Sequence, residues 1–295
     1  MLTMEKLAEL AAGHLGELAV RVAEFEIGGQ SFPFNSHPAI MGVVNLSADS
    51  WYRESVCFSS DAAIERGRVL HAQGAQIIDV GAESTLGNAA RVEGDLQNLK
   101  LLPVIRGLRA SNILVSVETY SPDVAQACLQ AGANVLNLTG VPADNRIYRL
   151  VAEHNAALII CYVEGVNVRE VDELNLSTDP IPTMREFFAR EIDRAVSAGV
   201  SRIFVDPGLG FYYRNLQDSA LRVRHQMAIF LHTFRLRTLG FPVCHALPHA
   251  FEFFREEVRC AEPFFAVLAA LGKTDLFRTH EVPRVRAVLQ TLRAY

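Results

Sequence analysis

The chain has little for redox or disulfide chemistry: five cysteines and one tryptophan in 295 residues. Cys57, Cys128, Cys161, Cys244 and Cys260 are scattered, with no C-x-x-C pair. They read as reduced, packed thiols of a cytoplasmic protein. No Lys/Arg run stands out and the formal net charge is -5, so nucleic acid is not an expected partner. No segment approaches the ~20 consecutive apolar residues of a membrane span, so no membrane partner is expected either. Glu5 and Glu9 break the apolar pattern at the N-terminus, which argues against a signal peptide.

What the chain does have is apolar content, 50% of its residues. That suffices for one large, well-buried domain. Leu7, Leu10, Ala11, Leu15 and Leu18 predict a helix within Met1 to Leu18. Val20, Val22, Phe25 and Ile27 alternate around Gly28-Gly29, which predicts a hairpin within Ala19 to Phe34. Residues 1–37 are thus expected as an N-terminal extension, and residues 38–295 as the main domain. There the pattern is strand then helix, repeated. Strands are expected at 39–45, 76–80, 113–117, 134–138, 157–162, 202–205, 242–246 and 275–278. Helices are expected at 61–73, 95–108, 123–131, 145–154, 183–198, 216–239, 260–271 and 283–292. Eight near-equal repeats point to an α/β fold, a (β/α)8 barrel, with a doubly wound open sheet as the alternative.

The strand ends carry the chemistry. Asn45 ends the first strand, and Glu83, Ser84 and Thr85 the second. Glu118 and Thr119 follow the third, and Asn137 lies in the fourth. Asp206 begins Asp-Pro-Gly-Leu-Gly-Phe211 after the sixth; His245 and His249 accompany the seventh, and Arg278 and His280 the eighth. Any one of them could be a turn or cap residue. In a barrel all would converge on one mouth, where active sites are built. Glu118, Asn137 and Asp206 are acceptor-rich, and a buried carboxylate requires N–H donors. A ring with an exocyclic amine beside a ring N–H supplies two. Arg278 suits the face of such a ring or an anion. A metal reading would join His245 and His249 with Cys244 or His280, but Pro248 interrupts the helix that H-x3-H needs. Phe251, Phe253, Phe254, Phe264 and Phe265 suggest a covered outer seam or a dimer interface.

With these residues in hand, the chain resembles dihydropteroate synthase. The segments that carry the likeness are IMGVVNLSADSW (40–51), GAQIIDVGAEST (74–85), VETYSPDVAQACLQAGANVLN (117–137), DPGLGF (206–211) and FRTHEV (277–282). That family joins a pterin pyrophosphate to p-aminobenzoate in folate synthesis. The resemblance implies a pterin or folate-like ligand held by Asn137, Asp206, Arg278 and Glu118, which stands where the family has an aspartate. It implies catalytic roles for Arg278, His280 and Thr85. It also implies a second-substrate side with Trp51, Thr85, Phe211 and His249. Asn45 falls where the family helps hold Mg2+, so Mg2+ is expected only with a pyrophosphate ligand. A homodimer through the last helices is implied as well.

The catalytic half departs from the family pattern. Leu86-Gly87 follow Thr85 where Arg-Pro is usual, so a phosphate-binding arginine is lost. The first loop continues Tyr52-Arg53-Glu54-Ser55 after Trp51 in place of Asp-Gly-Gly. Pro248-His249-Ala250-Phe251 replace a Ser-Arg-Lys-Ser segment, removing its lysine. Tyr212-Tyr213-Arg214 stand where another lysine is usual, and Cys161-Tyr162 where Met-His is usual. Loss of a cationic clamp on a leaving pyrophosphate costs several kcal/mol of transition-state stabilisation. The leading expectation is a pterin-binding protein with weak or absent synthase activity. The alternatives are an active synthase with an anion site rebuilt around Arg53 or Arg214, and a pterin-dependent methyltransferase on the same barrel. The opening motifs fit the last less well, and the chain carries no corrinoid-binding module.

Overall fold

The computed structural model describes residues 1–47, 55–83, 92–171, 173–174, 177, 179–211, 213 and 215–295. Two short helices, α1 (Met4–Gly13) and α2 (Leu15–Leu18), lead into a hairpin of β1 (Phe25–Ile27) and β2 (Gln30–Phe32). Its two-residue loop is Gly28-Gly29, with φ of +56° and +83°. Both central residues of such a turn need positive φ, which glycine adopts at no steric cost.

The main domain alternates strands and helices: β3 (Ala39–Asn45), α3 (Ser60–Ala72), β4 (Ile77–Gly81), α4 (Gly94–Arg109), β5 (Leu114–Glu118), α5 (Pro122–Gln130), β6 (Val135–Leu138), α6 (Arg146–Glu153) and β7 (Ala157–Cys161). A small hairpin, β8 (Gly165–Asn167) and β9 (Glu170–Val171), interrupts the repeat. Then come α7 (Ile181–Ser197), β10 (Ile203–Asp206), α8 (Ser219–His232), β11 (Cys244–Ala246), α9 (Phe251–Phe254), α10 (Ala261–Leu271), β12 (Leu276–Thr279) and α11 (Val282–Arg293). Eight parallel strands form one sheet in the order β10-β7-β6-β5-β4-β3-β12-β11. Its two ends meet in a parallel bridge between Val205 and Val243. The predicted (β/α)8 barrel is what forms, not an open doubly wound sheet.

The period of two along each strand sorts the barrel into faces. Ile78, Val80, Val115, Val117, Leu136, Leu158 and Ile160 pack outward against the helices. Met41, Ile77, Leu114, Val135, Ile159, Phe204 and Leu276 fill the interior. The hairpin closes the lower end: Phe25 and Phe34 meet Phe204 edge-on at 5.2 and 5.3 Å between ring centres. Burying such rings contributes roughly 1.5–3 kcal/mol each. Arg237 ties this region down, pairing with Asp275 at 3.2 Å and donating to Asn35 Oδ1.

The expected single helix over 216–239 is corrected. Asp218 caps α8 by accepting from Leu221 N, and after His232 the chain tightens to a 3-10 helix over Thr233–Leu239. Thr233 Oγ1 bonds back to Ile229 O while also meeting His245, and Arg235 reaches out to Asp179. The β8–β9 hairpin was not expected, because its segments are too short for an alternation to register. Of the phenylalanine cluster, Phe265 is core, whereas Phe253 and Phe264 are exposed.

Candidate functional site

The polar residues at the upper end of the barrel share the inner face with the apolar residues below them. One pleat step above Ile77 sits Asp79; above Val135, Asn137; above Phe204, Asp206; above Leu276, Arg278. Asn137, Asp206 and Arg278 line a cleft together with Glu118, Thr139, Cys161, Gly208, Gly210, Phe211 and Ala246, and Asp79 lies behind them.

Arg278 organises this set. Its Nε donates to Asp79 Oδ2 at 2.7 Å, and its Nη2 donates to Glu118 Oε2. Asn137 Nδ2 also donates to Asp79 Oδ2, and the Cys161 thiol donates to Asn137 Oδ1 at 3.4 Å. Asp206 is held by the turn that follows it. Gly208 N donates to its Oδ1 at 2.8 Å, and Gly208 has φ of +72°. A Cβ on Gly208 would lie 2.3 Å from Tyr162 O, so no other residue fits the turn.

Two of the three carboxylates around the Arg278 guanidinium, Glu118 and Asp206, titrate above their ordinary range. Burial pushes Glu118 up to about 7; Asp79, Asp206 and Glu83 add to the rise, and Arg278 opposes it. Burial pushes Asp206 up to about 6 against the pull of Gly208 N–H, Arg278 and the Cys244 thiol. Burial would lower Arg278, but Asp79 and Glu118 outweigh it and hold the guanidinium charged. The cleft therefore offers carboxylate and amide acceptors beside a flat cation. That suits a planar heterocycle with adjacent N–H donors.

A second cluster lies at the rim. Asn45 Nδ2 bonds Ser55 Oγ and stands 3.5 Å from His280 Nε2. His280 Nδ1 meets Glu262 Oε1 at 2.8 Å, and His249 Nδ1 faces the same oxygen at 3.5 Å. Thus Glu118, Asn137, Asp206, Phe211 and Arg278 come together in the cleft, whereas Asn45, His249 and His280 gather beside it. Trp51 and Thr85, with Ser84, Arg53 and Arg214, lie outside the described residues.

Three expectations need correction. His245 does not reach the mouth: the strand period turns it outward, where it is fully buried against Phe230 and Thr233. Burial lowers it to about 3, so it is a neutral packing residue. Glu83 lines an adjoining cleft, with Glu118 and Thr119, instead of the Asp206 cleft, accepting from Tyr120 OH and Val92 N. Thr119 accepts from Ser121 N and serves a turn. Asp79 and Glu262 were missed. Asp79 was visible as a lone charge inside an apolar strand. Glu262 looks in sequence like an ordinary acid in a helix first turn.

Residues 41–246 match the family described as pterin binding enzyme. A dihydropteroate synthase type-2 of Escherichia coli is 31% identical over 271 residues, covering 88% of this chain and 97% of that protein. A Haloferax volcanii protein named "Probable bifunctional folylpolyglutamate synthase/dihydropteroate synthase" is 32% identical over 269 residues; the match covers 88% of this chain and 30% of that longer protein. Among solved structures, dihydropteroate synthase of Xanthomonas albilineans with 4-aminobenzoic acid superposes with a TM-score of 0.78 at 26% identity, covering 93% of this chain and 98% of that one. This chain belongs to the pterin binding enzyme family, as a relative of the dihydropteroate synthases.

Proposed function

We propose that this chain binds a reduced pterin at the Asp206 cleft and turns over little or none of a pterin pyrophosphate. In this reading Asp206, Asn137 and Glu118 take the donor edge of the ring, and Arg278 lies against its face. The observation that carries it is the charge balance of the cleft. Glu118 and Asp206 line it, Asp79 stands behind, and the lining cation among the described residues, Arg278, is already shared by two carboxylates. Ala246 occupies the inner face at the end of β11, and His249, the next polar residue, is pushed down to about 4 by burial. Neither supplies the positive charge that a leaving pyrophosphate needs.

The second reading, an active synthase, is favoured by the rim. Asn45 and His280 stand side by side there, as phosphate and metal binding would require. Asn45 brings one neutral carboxamide, too little to hold Mg2+ alone but suited to one position on an ion carried by pyrophosphate. Bound there, Mg2+ would neutralise charge on the leaving group. Incubation with hydroxymethyl-dihydropterin pyrophosphate, p-aminobenzoate and Mg2+ separates the two. The first reading expects dihydropteroate at no more than about a hundredth of the rate of an active synthase, as befits several missing kcal/mol. A rate comparable to an active synthase supports the second.

We also infer a homodimer through α10 and α11, supported by the exposed Phe264, Leu271 and Leu292 on these helices. Light scattering should return twice the chain mass; a monomer at micromolar concentration contradicts it.

A further inference from the structure

We propose that His249, Glu262 and His280 form a binding site for one divalent transition-metal ion. The three come from separate places: the loop after β11, the first turn of α10, and the residue after β12. Their ligand atoms nonetheless all lie within 4.8 Å of one another, the one such grouping of three or more His, Cys, Asp or Glu among the described residues. The Glu262 Oε1 distances, 2.8 Å to His280 Nδ1 and 3.5 Å to His249 Nδ1, match the edges of a coordination shell. Metal–ligand bonds of about 2.0–2.2 Å place neighbouring ligand atoms roughly 2.8–3.6 Å apart, from octahedral to tetrahedral geometry. Two imidazoles and one carboxylate are a donor set for Zn2+, Co2+, Mn2+ or Fe2+, and leave positions open for oxygen ligands.

The carboxylate is fixed for this role. Glu262 Oε2 accepts from Thr279 Oγ1, from His280 N at 2.9 Å and from Glu281 N at 3.1 Å. Those bonds leave Oε1 aimed between the two rings, whose centres are 5.0 Å apart. Outer bonds of this kind orient metal ligands.

The placement suggests a ligand class. His280 lies two residues past Arg278, and its Nε2 is 3.5 Å from Asn45. An ion here would add two positive charges beside a mouth rich in carboxylates. Phosphate-type oxygen anions are the ligands that would complete its coordination. This site uses nitrogen donors and needs no pyrophosphate to form, so it stands independently of whether the cleft binds a pterin.

The test strips the full chain with EDTA, then titrates it with Zn2+ and with Co2+. Elemental analysis should give one Zn2+ per chain, and Co2+ should develop a visible ligand-field spectrum. His249→Ala should weaken Zn2+ binding by about a hundredfold or more, while His37→Ala, at an exposed distant histidine, should not. Circular dichroism checks that His249→Ala is folded; Glu262→Gln serves as a second variant, expected to lose the Co2+ spectrum. Failure of Zn2+, Co2+ and Mn2+ to bind the folded wild type stoichiometrically overturns the proposal. So does unchanged Zn2+ affinity in His249→Ala.

Discussion

Asp206→Asn should lower the affinity for a reduced hydroxymethylpterin by about a hundredfold. The variant keeps the volume of the side chain but replaces one charged acceptor oxygen with a donor. Two charge-assisted hydrogen bonds to a ring edge are then lost or made repulsive, worth about 3 kcal/mol together. The pH profile gives a second readout. Asp206 titrates near 6 in the free protein, raised by burial. The ring's N–H donors select the ionised form, so wild-type affinity should rise as pH climbs from 5 to 7, by about tenfold for one group centred at 6. Glu118, at about 7, should extend the rise toward pH 8. In Asp206→Asn the portion centred near pH 6 should disappear. Calorimetry at pH 5, 6, 7 and 8 measures both effects; an unchanged affinity would remove Asp206 from the binding edge.

Arg278→Met should cost about 3–5 kcal/mol of stability at pH 8, because it leaves buried carboxylates without their cation. Asp79 has 0% exposure and shares Arg278 with Glu118. That loss is a large share of the ~5–15 kcal/mol that holds a typical domain folded. The sign with pH follows from linkage. Glu118 already has a folded value near 7, above its unfolded 4.5. The folded state therefore holds a proton that the unfolded state releases. This group's contribution is fully present below about 4.5 and lost as pH rises through about 7. Removing Arg278 takes away the charge that holds Glu118 down and so pushes it further up, which widens the window. The gap to wild type should thus be greatest at pH 8 and smallest near pH 5. Urea denaturation at both pH values checks it, and an equal loss at both would show that packing of the Arg278 stem, not its charge, was at stake.

The barrel was legible because strand and helix periods are written in apolar spacing over long segments. All eight strand ends that frame the mouth fell within one residue of expectation, and Ala39–Asn45 had its bounds unchanged. The cleft residues Glu118, Asn137, Asp206 and Arg278 were legible for a related reason: each is polar at the point where an apolar strand stops. Facing was harder. His245 follows the same rule of position yet turns outward, since one step along a strand reverses the side chain. Asp79 was overlooked because it lies inside its strand instead of at the tip, although its spacing from Gly81 puts both on the inner face. Glu262 could not be assigned from spacing at all. Its partners Thr279, His280 and Glu281 are 17 to 19 residues away, and only the packing of α10 on β12 brings them together.

The measurement that bears most directly on the central claim is a calorimetric titration of the wild-type chain, in Mg2+, with hydroxymethyl-dihydropterin and separately with its pyrophosphate. The account predicts that both bind, with affinities within about tenfold of each other (~1.4 kcal/mol), because the ring edge supplies the contacts and the cleft adds little for the anion. Binding of neither, or a pyrophosphate form bound several hundredfold more tightly than the bare pterin, would contradict it.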